Sequence, residues 1–170
     1  MPTVIATVGA SDANSYVTVA EADAYFAEQF GYSAWDLVVQ ADREACVITA
    51  SRSLDSYMVW AGQRATDVQS MEWPRSGSYD RYGNPIDGDV IPNVLKQAVF
   101  ETAFIILTKG GLEFGGRRYD KVKVAVVDVT FSRSQDSSGI PKYIEELLSG
   151  LGLPLLQRDG EMSVVRLERA

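Results

Sequence analysis

From Asn93 to Lys109 apolar side chains fill nearly every turn of a helical pattern: Val94, Leu95, Ala98, Val99, Phe100, Ala103, Phe104, Ile105, Ile106 and Leu107. The polar residues Asn93, Gln97, Glu101 and Thr108 fall into one narrow stripe, so protein is expected to cover most of this helix. At 1.5 Å per residue it would run about 26 Å, enough to cross a small domain. The rest of the chain is expected to pack around it.

Two helices precede it. Thr18-Val19-Ala20-Glu21 matches a capping box, in which Thr18 accepts from the backbone of Glu21 and Glu21 reaches back. Val19, Ala22, Tyr25 and Phe26 form the apolar face, and the helix should end near Phe30-Gly31. Asp42 is a candidate cap for a second helix running to about Trp60. Its buried stripe is Val47, Ala50, Leu54, Tyr57, Met58 and Ala61, with Arg52 and Ser56 facing outward. A short helix should follow Pro141 as far as Leu148, before Gly150, Gly152 and Pro154 prevent its continuation.

Strand patterns are fewer. Thr3 to Val8 is β-prone but too short to stand alone, so it must pair elsewhere. Tyr119 to Ser132 alternates around Val122, Val124 and Val126, then slips phase by one at Val126-Val127, as at a β-bulge. Residues 62–91 form a long connection punctuated by glycine and carrying Trp73 and Tyr79, which points to a functional excursion. Met162 to Ala170 reads as a terminal arm. The expected fold is mainly α (α+β): a small helical bundle with a long inserted loop, a short antiparallel β element and extended terminal arms. One domain over 1–150 and a C-terminal arm over 151–170 are expected.

Charge narrows the function. The net charge is -7, and residues 1–60 hold eight acids against two bases. Such a face repels phosphate, which argues against gripping nucleic acid as the main task. The basic concentration, Arg117, Arg118, Lys121 and Lys123 with Arg133 beyond, could meet nucleic acid or an acidic protein patch, or simply protect an edge strand. The N-terminus lacks the basic region of a secretory signal and no stretch is long enough to span a bilayer, so a soluble chain made in the cytoplasm is expected.

Catalytic chemistry has little to work with. There is no histidine, which removes the commonest general base and most transition-metal sites. Cys46 sits within an apolar helical pattern and is expected to be a buried small hydrophobe. Asp80, Asp87 and Asp89 offer oxygen ligands, but their spacing does not fit an EF-hand and their loop is rich in turn residues. No enzyme, cofactor or metal site is expected.

The order Asn14-Ser15-Tyr16-Val17-Thr18-Val19-Ala20-Glu21, then Arg43-Glu44-Ala45, Gly62-Gln63-Arg64, Trp73-Pro74-Arg75 and Ile91-Pro92 resembles a family of tailed-phage structural proteins. Its members often carry the label DnaT-like single-stranded-DNA-binding protein, while their layout is similar to head-to-tail connectors. The resemblance implies a virion neck adaptor: a ring of twelve copies below the portal, touching portal, tail and neck proteins, through which genomic DNA passes without specific binding. It would be made in the host cytoplasm and end in the virion. Candidate interface residues are Trp73, Pro74, Arg75, Tyr79, Arg117, Arg118, Lys121 and Lys123. The alternative is a single-strand-binding module in which exposed aromatics stack bases and the Arg117 to Lys123 cluster follows the backbone.

Overall fold

The computed structural model describes residues 2–110 and 140–155. Its elements in chain order are α1 (Val19–Ala27), α2 (Gln40–Tyr57), β1 (Met58–Trp60), β2 (Gln63–Arg64), β3 (Arg75–Ser76), α3 (Asn93–Lys109), α4 (Lys142–Leu148) and β4 (Gly152–Pro154). The fold is mainly α, a small bundle with short antiparallel β pairs. β1 pairs with β4 and β2 with β3.

α3 is the central helix that its pattern predicts. Along it Leu95, Ala98, Val99, Phe100, Thr102, Ala103 and Ile105 are buried, and only Asn93, Gln97, Thr108 and Lys109 are exposed. Gly110 closes it in the left-handed conformation, where a side chain would be strained. α3 packs chiefly against α2, which contributes Val47, Ala50 and Leu54, all with no exposed surface. α4 adds Ile144 and Leu148 from another side. Each such leucine or valine taken from water stabilises the fold by roughly 1.5–3 kcal/mol, before chain entropy is subtracted.

α1 closes the bundle through aromatic rings. The ring of Phe26 lies 4.7 Å from that of Trp35, 5.1 Å from Tyr32 and 5.7 Å from Phe104, centre to centre. Its N-terminus carries the predicted capping box in full. Glu21 also meets the Lys96 ammonium at 2.7 Å, which ties α1 to α3. Burial opposes ionisation of Glu21, but Lys96 and the Thr18 donors outweigh it and hold the carboxyl below its usual range.

α2 departs from expectation at both ends. It starts at Gln40 with Val39 at the cap position and no side-chain cap bond, and Asp42 lies inside its first turn, where its charge suits the helix dipole. It ends at Tyr57 rather than Trp60. Met58 turns extended (φ -102, ψ 142), and Met58–Trp60 pairs with Gly152–Pro154. Gly152 permits the approach, since a Cβ there would lie 2.5 Å from the Val59 carbonyl oxygen. The chain just beyond residue 150 is thus paired to the body.

Thr3 to Val8 forms no strand. Instead Asn14 holds the run as a ladder neighbour would: its Oδ1 accepts from Ile5 N–H at 2.8 Å and its Nδ2 donates to the Thr3 carbonyl at 2.8 Å. One amide side chain thus supplies what the sequence led us to expect from another strand. The expected strand over 119–132 and the arm over 162–170 lie outside the described residues.

Candidate functional site

The Trp73-Pro74-Arg75 turn folds inward. Trp73 and Arg75 are 1% and 8% exposed, and Pro74, after a cis peptide bond, is buried with them. The Trp73 ring meets Trp60 edge-on at 6.0 Å. Arg75 uses its guanidinium as a fork: Nε donates to the Ala61 carbonyl at 2.8 Å, one terminal nitrogen to the Gly62 carbonyl at 2.8 Å, and the other to the Glu72 carboxylate at 2.7 Å. A planar donor set of this kind fixes two chain segments at once.

Behind this turn lies Asp55 of α2. Its carboxylate accepts from the Tyr16 phenol and from Glu72 N–H at 3.2 Å. Burial pushes its carboxyl up to about 6, despite the two donors, and the neighbouring Glu72 charge adds to the rise. Tyr16 is raised well above its ordinary value, first by burial and then by the Asp55 charge.

A second carboxylate gathers three phenols. Glu101 of α3 accepts from Tyr25 at 2.8 Å, Tyr32 at 2.7 Å and Tyr143 at 3.0 Å. Burial and the Glu101 charge raise all three phenols, with Tyr32 reaching about 12. Neutral phenols gathered on one carboxylate make a structural tie between α1, α3 and α4.

The outward feature of the long loop is a hairpin at its centre. Tyr79 and Pro85 face each other across an isolated antiparallel bridge, and Ile86 N–H reaches the Ser78 carbonyl at 3.0 Å. Asp80 organises the tip: its Oδ1 accepts from Tyr82 and Asn84 N–H, each at 2.8 Å, and its Oδ2 from the Asn84 side chain at 2.9 Å. Gly83 supplies the positive φ (84°) that the turn requires. These bonds, led by the Asn84 side chain, hold the Asp80 carboxyl below its usual range. The hairpin is seated on the end of α4, where Arg81 donates to the Glu146 carbonyl at 3.0 Å and its backbone nitrogen lies 2.9 Å from where a Cβ on Gly150 would stand. Tyr82 is 83% exposed at the tip and Tyr79 55%.

Of the residues singled out in the sequence, Trp73, Pro74 and Arg75 come together in the interior of this chain and Tyr79 lies outside on the hairpin. Arg117, Arg118, Lys121 and Lys123 lie outside the described residues. Asp80, weighed above as a cation ligand, has both oxygens engaged by the turn, and among the described residues no group of three or more His, Cys, Asp or Glu is placed to hold a metal ion. A cleft of about 160 Å³ beside Asp42, Cys46, Thr49 and Ile106 falls below the roughly 300 Å³ of an ordinary small-molecule pocket. Cys46 is buried as expected, and burial pushes its thiol up to about 12. The exposure of Tyr82 is not legible in the sequence, although Asp80 with Gly83-Asn84 is a turn signal that could have marked it.

Residues 1–170 match a family model described as "Putative DnaT-like ssDNA binding protein". Comparison with curated proteins returns no match, and comparison with solved structures returns none either. The family match corrects the neck reading. A connector ring of twelve copies, its portal, tail and neck partners, passage of genomic DNA without specific binding and a place in the virion all fall with it. The physical reason lies in the residues that carried the resemblance. The Thr18 box, Gly62 and Ile91-Pro92 are caps and turns that many helical bundles need, so they speak for local structure and not for a partner. The family is described as a binding protein, in keeping with a chain that is not an enzyme.

Proposed function

We propose that this chain, which belongs to the family of putative DnaT-like ssDNA binding proteins, binds single-stranded DNA. The observation that carries the reading is the family match over all 170 residues. Supporting it, the described surface leaves aromatic rings in water, among them Tyr79 and Tyr82, and a ring can stack on any unpaired base whatever its identity.

The charge balance sets the character of the binding. A net charge of -7 works against phosphate, so stacking must supply much of the attraction. A duplex keeps its base faces stacked on one another, and so the chain should favour single strands over duplex. Few phosphate contacts also mean few released counterions and a shallow dependence on salt.

Fluorescence anisotropy of an end-labelled oligothymidylate titrated with the full chain at low salt tests this. Saturable binding, with duplex of the same length a poor competitor, is the expected result. No binding to oligothymidylate or to a mixed-sequence single strand at low salt would overturn the reading.

A further inference from the structure

We propose that the hairpin centred on Asp80 is the base-stacking platform for single-stranded DNA, with Tyr82 as the ring that takes the base; this rests on the function proposed above. The hairpin tip is rigid by construction. Three bonds to the Asp80 carboxylate, the Asp80 N–H bond to the Asn84 carbonyl at 2.8 Å and the Gly83 N–H bond to the Asp80 carbonyl at 3.0 Å fix the backbone on both sides of Tyr82. None of them involves the Tyr82 side chain. The fold therefore holds this ring's stem in place while leaving the ring itself in water.

Rigid presentation matters because ordering a mobile side chain on binding costs free energy. A tyrosine carried on a pre-formed tip loses less than one on a loose loop. Among the described residues, Tyr79 is only 55% exposed and lies in the bridge to Pro85, and the two other exposed rings lack this combination. Tyr143 has its phenol tied to Glu101, and Phe30, though fully exposed, follows the acidic helix α1 with Glu28 two residues before it.

Charge around the tip is also compatible. The carboxylate closest in sequence, Asp80, points its oxygens at N–H donors of the turn, which offset its field. Arg81 stands between Tyr79 and Tyr82, exposed, with one of its nitrogens on the Glu146 carbonyl and the rest of the guanidinium able to meet a phosphate. A ring for the base beside a cation for its phosphate is the minimum that a single-strand contact needs.

The test uses the full chain and end-labelled oligothymidylate, with variants Y82A, Y82F and F30A. Y82A should weaken binding by roughly five- to hundredfold, the range expected for loss of one stacked base. Y82F, which keeps the ring, should bind within about twofold of the parent, and F30A should be unchanged. Photocrosslinking to an oligonucleotide carrying 5-bromodeoxyuridine should place the adduct on the peptide that contains Tyr82. If the parent chain binds and Y82A binds equally well, the platform lies elsewhere and this proposal is overturned while the function stands. Equal losses in Y82A and F30A would overturn it too, and a parent chain that binds no single strand overturns both.

Discussion

Tyr16 donates its phenol proton to Asp55, thirty-nine positions along the chain, and its oxygen in turn accepts from Trp73 N–H at 3.1 Å. One tyrosine thus joins the N-terminal loop to α2 and to the turn at 72–75. Each of these bonds spans a long stretch of sequence, so the arrangement exists only when the bundle has closed.

The position of Asp55 gives the stability of the chain a particular dependence on pH. Its folded value, about 6, is above that of an unfolded aspartate near 4, so the native state binds the extra proton between those limits. Stability from this group is therefore greatest below about pH 4 and declines as pH rises through 6. The two-unit difference corresponds to about 3 kcal/mol. Urea denaturation of the parent and of Asp55→Asn at several pH values checks it. The parent should lose stability relative to the variant between pH 4 and 7, and parallel curves would show that Asp55 titrates normally.

Arg75→Lys should be costly although it conserves charge. An ammonium can replace at most part of a fork that holds the Ala61 and Gly62 carbonyls together with the Glu72 carboxylate. With carbonyls left short of a donor, a loss of about 2–4 kcal/mol is expected. Chemical denaturation should show a lower midpoint with an unchanged slope, and a midpoint equal to the parent's would mean that the fork contributes nothing.

Glu101→Gln should be visible in the tyrosines themselves. With the charge removed, the phenols of Tyr25, Tyr32 and Tyr143 keep their burial but lose the repulsion that Glu101 adds on ionisation. An alkaline absorbance titration should show them deprotonating at lower pH than in the parent. In the parent, phenols raised above their unfolded value of about 10 contribute stability that is lost as pH climbs past 10 toward their folded values, and the variant, whose folded values are lower, should lose less of it.

The helices were legible because their signals are local. The Thr18-to-Glu21 box lies within four residues, and the covered circumference of α3 follows from Val94 to Leu107 alone. The end of α2 was not, since Met58 leaves the helix only because Gly152–Pro154, far along the chain, offers it a partner. The same holds for the run after Thr3, whose neighbour is an asparagine side chain that no strand pattern contains. In the candidate site Tyr79 is legible from its size alone. The exposure of Tyr82 depends on how Asp80 closes the turn, and the convergence of three tyrosines on Glu101 joins residues 69 and 76 positions upstream with one 42 downstream, a distance that no motif spans.

The turn that Asp80 closes makes no use of what is attached at the next position but one. A cysteine introduced at position 82 and coupled to a fluorescent dye would ride on the same frame, held at a known place beside α4 and free of the interior. Cys46, the one native thiol, is buried and would stay unlabelled. The dye would therefore be confined to position 82, from which the approach of a ligand to this side of the bundle can be watched optically.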